Sequence, residues 1–137
     1  MGSQVRNQER LTVSVMTVDD QAVFRRVARE VIEATPGFES LGEAASGEEA
    51  LALADEVDPD LVLVDVRMPG MNGVETASRL SAAHPTSTIV LISTEDRADL
   101  PTGAESCGAV ALLSKEEFGT TALRRLWALH RRPTASG

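Results

Sequence analysis

The sequence predicts an α/β fold, a doubly wound five-stranded parallel sheet of (βα)5 type. Two observations predict it. Leu61-Val62-Leu63-Val64 and Thr88-Ile89-Val90-Leu91-Ile92-Ser93 run apolar with little polar alternation, which marks strands buried on both faces, as in a parallel sheet. Stretches with helical rhythm alternate with such runs along the chain, and right-handed crossovers place the helices on both faces of a parallel sheet. With only 3% aromatic residues and 42% hydrophobic ones, the core must be built from Val, Leu, Ile and Ala.

The elements follow in order. Leu11 to Val18 reads as the first strand and ends at Asp19-Asp20. Gln21 to Ala34 reads as a helix with Val23, Phe24, Val27, Ala28, Val31 and Ile32 inward, stopped by Thr35-Pro36-Gly37. Phe38 to Ala44 is a weaker second strand. Ser46-Gly47-Glu48-Glu49 is a capping box, opening a helix that buries Ala50, Leu51, Ala54 and Val57. Asp58-Pro59-Asp60 breaks it, and Leu61 onward is the third strand. Asn72-Gly73-Val74-Glu75 caps the next helix, whose buried stripe is Val74, Ala77 and Leu80 and whose end is His84-Pro85.

Thr88 to Ser93 is the fourth strand. Arg97 to Cys107 has helical rhythm, but Pro101 and Gly103 interrupt it. An interior proline costs about 3 kcal/mol in a helix, so this fourth helix is expected to be short or irregular. Val110 to Leu113 is the fifth strand. Ser114-Lys115-Glu116-Glu117 looks like the opening of a last helix running to about Arg131, with Phe118, Ala122, Leu123, Leu126 and Trp127 inward.

Size and charge bound the function. A chain of 137 residues is expected to form one domain with one core. A net charge of −8 argues against nonspecific nucleic-acid binding, which needs Lys and Arg to neutralise phosphates. Cys107, the single cysteine, excludes an internal disulfide and a Cys-rich zinc site, and fits a reducing cytoplasm. No apolar run approaches the roughly 18 residues of a membrane span. Residues 1–10 read as a disordered leader, 11–132 as the folded domain and 133–137 as a flexible tail. His84 and His130 lack ligand spacing and read as solvated.

Parallel strands end at one edge of their sheet, where open α/β sheets bind ligands. The residues at those ends are Asp19 and Asp20, Asp65, Ser93 and Thr94, and Lys115. Three carboxylates together raise one another's pKa unless a cation sits among them. Hard oxygen ligands suit Mg²⁺, which keeps waters and takes phosphate oxygens as further ligands. An amine and a hydroxyl opposite would pair with a bound anion. The set reads as a site for a phosphoryl group carried on a carboxylate, since aspartate is a covalent nucleophile in phosphoryl transfer. Asp19 and Asp20 also suit a plain helix cap.

These residues resemble a known family. Val18-Asp19-Asp20, the stretch Asp65-Val66-Arg67-Met68-Pro69-Gly70-Met71-Asn72-Gly73, Ser93 and Lys115 look like the receiver domain of bacterial two-component response regulators, over about Leu11 to Arg131. Phe38 to Leu51 further resembles receivers that often precede a helix-turn-helix output domain. The resemblance implies a flavodoxin-like sheet of order 2-1-3-4-5. It implies that Asp65 accepts a phosphoryl group from a sensor histidine kinase. Asp20 and Asp65 would ligate Mg²⁺ directly, Asp19 through water, and Arg67 through its backbone carbonyl. Lys115 would pair with the phosphoryl oxygens. Ser93 would move to bond them, with Thr94 as the alternative switch hydroxyl. The face between the fourth and fifth helices would carry a homodimer or output partner.

Two departures stand out. The family commonly has Tyr or Phe three residues before the lysine, and here that residue is Leu112. Pro101 and Gly103 fall within the helix that usually signals. The readings kept beside a stand-alone receiver are the receiver of a longer DNA-binding regulator, a degenerate receiver used only for binding, and a magnesium-dependent phosphatase of similar topology. Such phosphatases usually carry an acid two residues after the nucleophile, where this chain has Arg67. The chain is therefore expected to be a phosphoacceptor and no turnover enzyme.

Overall fold

In a computed structural model, residues 12–95 and 99–131 are described. The expected leader and tail lie outside them. The strands are β1 (Val13–Val18), β2 (Phe38–Ala44), β3 (Leu61–Asp65), β4 (Thr88–Ser93) and β5 (Ala111–Ser114). The helices among the described residues are α1 (Ala22–Ala34), α2 (Gly47–Val57), α3 (Gly73–Ala83) and α4 (Thr120–His130). The sheet has the order β2-β1-β3-β4-β5 and all its pairings are parallel. The order and the doubly wound layout are those expected.

The continuous apolar runs are explained by two cores, one on each sheet face. Val62, Val64, Ile89 and Leu91 pack with Met16 and Val18 against Ala50 and Ala54 of α2 and Ala77 and Leu80 of α3. Leu61, Leu63, Val90 and Ile92 pack with Val15 against Ala28 and Ile32 of α1 and Leu123 and Leu126 of α4. Every residue of β3 and β4 is buried. Both predicted caps form: Ser46 Oγ accepts from Glu49 N at 3.1 Å, and Asn72 Oδ1 accepts from Glu75 N at 2.9 Å.

Four expectations need correction. Val23 and Val27 are 67% and 42% exposed, because α1 turns Ala28 and Ile32 to the sheet instead. The fourth helix does not form among its described residues, 99–107; the segment is a run of turns, with Ala104 N donating to Pro101 O at 3.3 Å and Ser106 N to Gly103 O at 3.1 Å. Gly103 takes φ +93° and Gly108 φ +95°, left-handed conformations that a helix excludes. The last helix starts only after Gly119: Ser114 closes β5, and its hydroxyl accepts from Glu116 N at 3.2 Å in a turn. His84 is largely covered, with Nε2 2.9 Å from Asp55 Oδ1.

Leu112 pairs with Leu91 in the sheet and is half-buried against the core. Between these strands and the turns above them lies a cavity of about 690 Å³, lined in part by Leu91, Leu100, Pro101 and Leu112. The expected partner face is therefore built from turns, β5 and α4 rather than from two helices.

Candidate functional site

The site forms where β1, β3, β4 and β5 end. Asp19 directly follows Val18 and is fully buried; Asp20 is exposed; Asp65 is the last residue of β3 and is buried. Each of the three offers a carboxylate oxygen, and these atoms lie within 4.8 Å of one another. Lys115 follows β5, where its backbone N donates to Ser93 O at 2.9 Å. Its Nζ lies 2.6 Å from Asp19 Oδ2 and 3.6 Å from Asp65 Oδ1. Of the six residues named at the strand ends, Asp19, Asp20, Asp65 and Lys115 come together here.

Asp19 has two tasks. Oδ1 accepts from Gln21 N at 2.8 Å in a turn ahead of α1; the N-cap of α1 is Gln21, without a side-chain cap bond, so neither aspartate caps the helix. Oδ2 is buried with no hydrogen bond of ordinary geometry, and its one partner is the Lys115 ammonium. The three carboxylates, each with an oxygen within 4.8 Å of the others, form a donor set that could hold a hard divalent cation. Asp65 is shifted to about 6, chiefly because burial penalises its charge and next because of the Asp19 charge, while Lys115 and the Arg67 backbone amide pull it down. A carboxylate held near neutrality by burial and like charge is a mark of a site.

Local sequence sets these positions. Gly73 N donates to Val66 O at 2.9 Å, and a Cβ at Gly73 would stand 1.9 Å from Asp65 O. Only glycine lets α3 begin this close to the strand end. Gly70, at φ +75°, supplies the turn between them.

Ser93 is buried, and its Oγ accepts from Glu95 N at 2.8 Å; Thr94 is exposed. Burial favours Ser93 over Thr94 as the hydroxyl turned toward the interior. The side chain of Arg67, which sequence reasoning left without a task, grips Glu95: Nε to Oε1 at 2.6 Å and Nη2 to Oε2 at 3.1 Å, with Nη2 also donating to Asp99 O at 2.9 Å. The bond from Arg67 holds the Glu95 carboxyl below the usual carboxylate range. Phe24 and Phe118 were also read only as packing, yet Phe24 lies under the Lys115 ammonium. Nothing in local spacing could reveal these contacts, which join residues 28 or more positions apart or depend on how α1 sits on the sheet.

A five-stranded parallel sheet of this order, with an acidic triad and a lysine at its strand ends, defines a receiver-type signalling domain. The chain belongs to the response regulator receiver domain family, whose model matches residues 15–126. It is 36% identical over 110 residues to the nitrate/nitrite response regulator protein NarL of Escherichia coli, covering 80% of this chain and 50% of that protein. It is 34% identical over 103 residues to response regulator GacA of Pseudomonas viridiflava, covering 75% of this chain and 48% of that one. The chain thus spans about half the length of these relatives. Among solved structures, the receiver domain of the response regulator NarL from Mycobacterium tuberculosis matches with TM-score 0.77 and 30% identity, over 86% of this chain and 95% of that one.

Proposed function

We propose that Asp65 accepts a phosphoryl group from the phosphohistidine of a sensor histidine kinase. One Asp65 carboxylate oxygen forms a bond to phosphorus, the phosphorus–nitrogen bond of phosphohistidine breaks, and the imidazole leaves. The observation that carries this reading is the Lys115 ammonium set 2.6 Å from Asp19 and 3.6 Å from Asp65 at the edge where parallel strands end. Lys115 is placed to pair with the phosphoryl oxygens. Ser93 offers a hydroxyl to them from the end of β4. Mg²⁺ would be held by Asp20 and Asp65, by Asp19 through water, and by the Arg67 backbone carbonyl; bound there, it supplies charge that offsets the oxygens of the transferring group. Water then hydrolyses the acyl phosphate and resets the chain. The chain acts as a phosphorylation switch.

Phosphorylation biases a protein-interaction surface at the turn segment, β5 and α4, as a shift between two populated states. Leu112 stands where the family usually has an aromatic reporter, so the readout runs through the turn segment above it. We place the chain in the cytoplasm, a reducing compartment that suits its single free cysteine.

Intact-mass measurement with acetyl phosphate and Mg²⁺ tests the reading. The native chain gains one phosphoryl group and Asp65→Asn gains none. Full-rate labelling of Asp65→Asn would remove Asp65 from the role. A second reading is favoured by the half-length coverage of NarL and GacA: the same switch serving as the receiver of a longer DNA-binding regulator. The length of the native transcript separates the two.

A further inference from the structure

The lysine at the site does not stand on carboxylates alone. Its Nζ lies 4.6 Å from the centroid of the Phe24 ring, over the ring face. Phe118, in the turn that follows Lys115, meets Phe24 with ring centroids 5.9 Å apart and planes tilted by 50°. Both rings are half-buried and pack on the core formed by α1, α4 and the sheet. The Lys115 side chain is 10% exposed, so water is largely kept from the ammonium. The neighbouring residue on α1, Arg25, donates from Nη1 to Asp19 O at 2.6 Å. Two consecutive residues of α1 therefore bear on the site, one on the Asp19 backbone and one on Lys115.

We propose that Phe24 is a positioning residue, whose ring face holds the Lys115 ammonium against the carboxylate cluster. A cation over an aromatic face is attracted by the ring quadrupole, most strongly where water is excluded. Lysine has four rotatable bonds and no rigid head. An ammonium that must move from Asp19 toward a phosphoryl group on Asp65 needs a floor that attracts it without bonding to it directionally. A ring face meets that need: it restrains the height of the ammonium and lets it slide. Phe118, three residues after Lys115, packs against the same ring.

The inference rests on the reading of Asp65 as phosphoacceptor, and the test separates the two. Lys115 is the only lysine in the sequence, so lysine-labelled protein gives one side-chain signal. In the native chain, the ε-methylene protons should be shifted upfield by the ring current of Phe24. Phe24→Leu should return them to the value of a free lysine, and Phe24→Tyr should retain the shift. With acetyl phosphate and Mg²⁺, Phe24→Leu should slow phosphoryl uptake about tenfold, the scale of losing one desolvated cation–ring contact, and Phe24→Tyr should restore it. Ring fluorination at position 24 weakens the quadrupole at nearly constant size and should slow uptake stepwise. A flat fluorination series would overturn the proposal even if Phe24→Leu were slow, because packing alone would then explain the loss. An unshifted lysine signal in the native chain would also overturn it. If the native chain took up no phosphoryl group, the reading of Asp65 would fail, while the lysine signal would still decide the contact.

Discussion

Lys115 pairs more closely with Asp19 than with Asp65: Nζ is 2.6 Å from the first and 3.6 Å from the second. The pair is buried on the Asp19 side. Removing one partner of a buried ion pair leaves the other charge uncompensated, which costs about 3 kcal/mol or somewhat more. Lys115→Met should therefore destabilise the metal-free chain by about 3 kcal/mol in urea unfolding. Added Mg²⁺ should recover part of the loss, because the cation takes over the neutralisation of the cluster.

Asp65 sets a pH dependence opposite to ordinary acid unfolding. Its folded pKa of about 6 lies above the usual 3.8. Between about 4 and 6 the folded chain holds a proton that the unfolded chain has lost, so stability from this group is greatest at low pH and falls as pH rises to about 6. Asp65→Asn removes that penalty. In EDTA it should be more stable than the native chain by about 2 kcal/mol at pH 7.5, with the gap closing toward pH 4.

The grip of Arg67 on Glu95 and on Asp99 O ties the end of β3 to the chain beyond β4. The pair is exposed, so its contribution to global stability is expected to be below about 1 kcal/mol and to shrink with salt. Its local effect should be larger. Arg67→Ala keeps the backbone carbonyl proposed as a metal ligand, so Mg²⁺ affinity should hold within a few-fold, an order set by the small worth of exposed pairs. Hydrogen exchange at the Glu95 amide, which donates to Ser93 Oγ, should become faster, since Arg67 no longer anchors the Glu95 side chain.

Ser93 and Thr94 are distinguished by burial. Ser93→Ala removes a buried hydroxyl that accepts from Glu95 N, and Thr94→Ala removes an exposed one. Phosphoryl uptake should slow by roughly tenfold or more in Ser93→Ala, the scale of one lost charge-assisted bond. It should be nearly unchanged in Thr94→Ala. The reverse order would reassign the switch hydroxyl.

The sequence made the strand ends legible because a buried strand announces itself by composition and stops at its first charge. Asp19, Asp65 and Lys115 could be placed together on that ground alone. The caps at Ser46 and Asn72 were equally legible, being local chemistry within three residues. Ser114 shows the limit: Ser114-Lys115-Glu116-Glu117 has the residues of a capping box, yet pairing with Ser93 in the sheet claims Ser114 for β5. Val23 and Val27 satisfied the helical period but not the direction in which α1 packs, which the sheet decides. The Phe24 and Arg67 contacts were illegible because each depends on two strand-end connections arriving at one place.

The closeness of Gly73 to the Asp65 carbonyl has a mechanical consequence. On that side of the site, backbone bears on backbone, and a hydrogen bond from Gly73 N to Val66 O at 2.9 Å locks the contact. The end of β3 and the start of α3 must therefore translate as one stiff body. Across the site, the chain after Ser93 is joined by an exposed ion pair and leads into turns above a cavity of about 690 Å³. A push delivered at Asp65 meets a rigid wall on one flank and a compliant one on the other. Displacement that starts at Asp65 is therefore expected to pass toward β4 and β5, the flank held by side chains, and not toward α3.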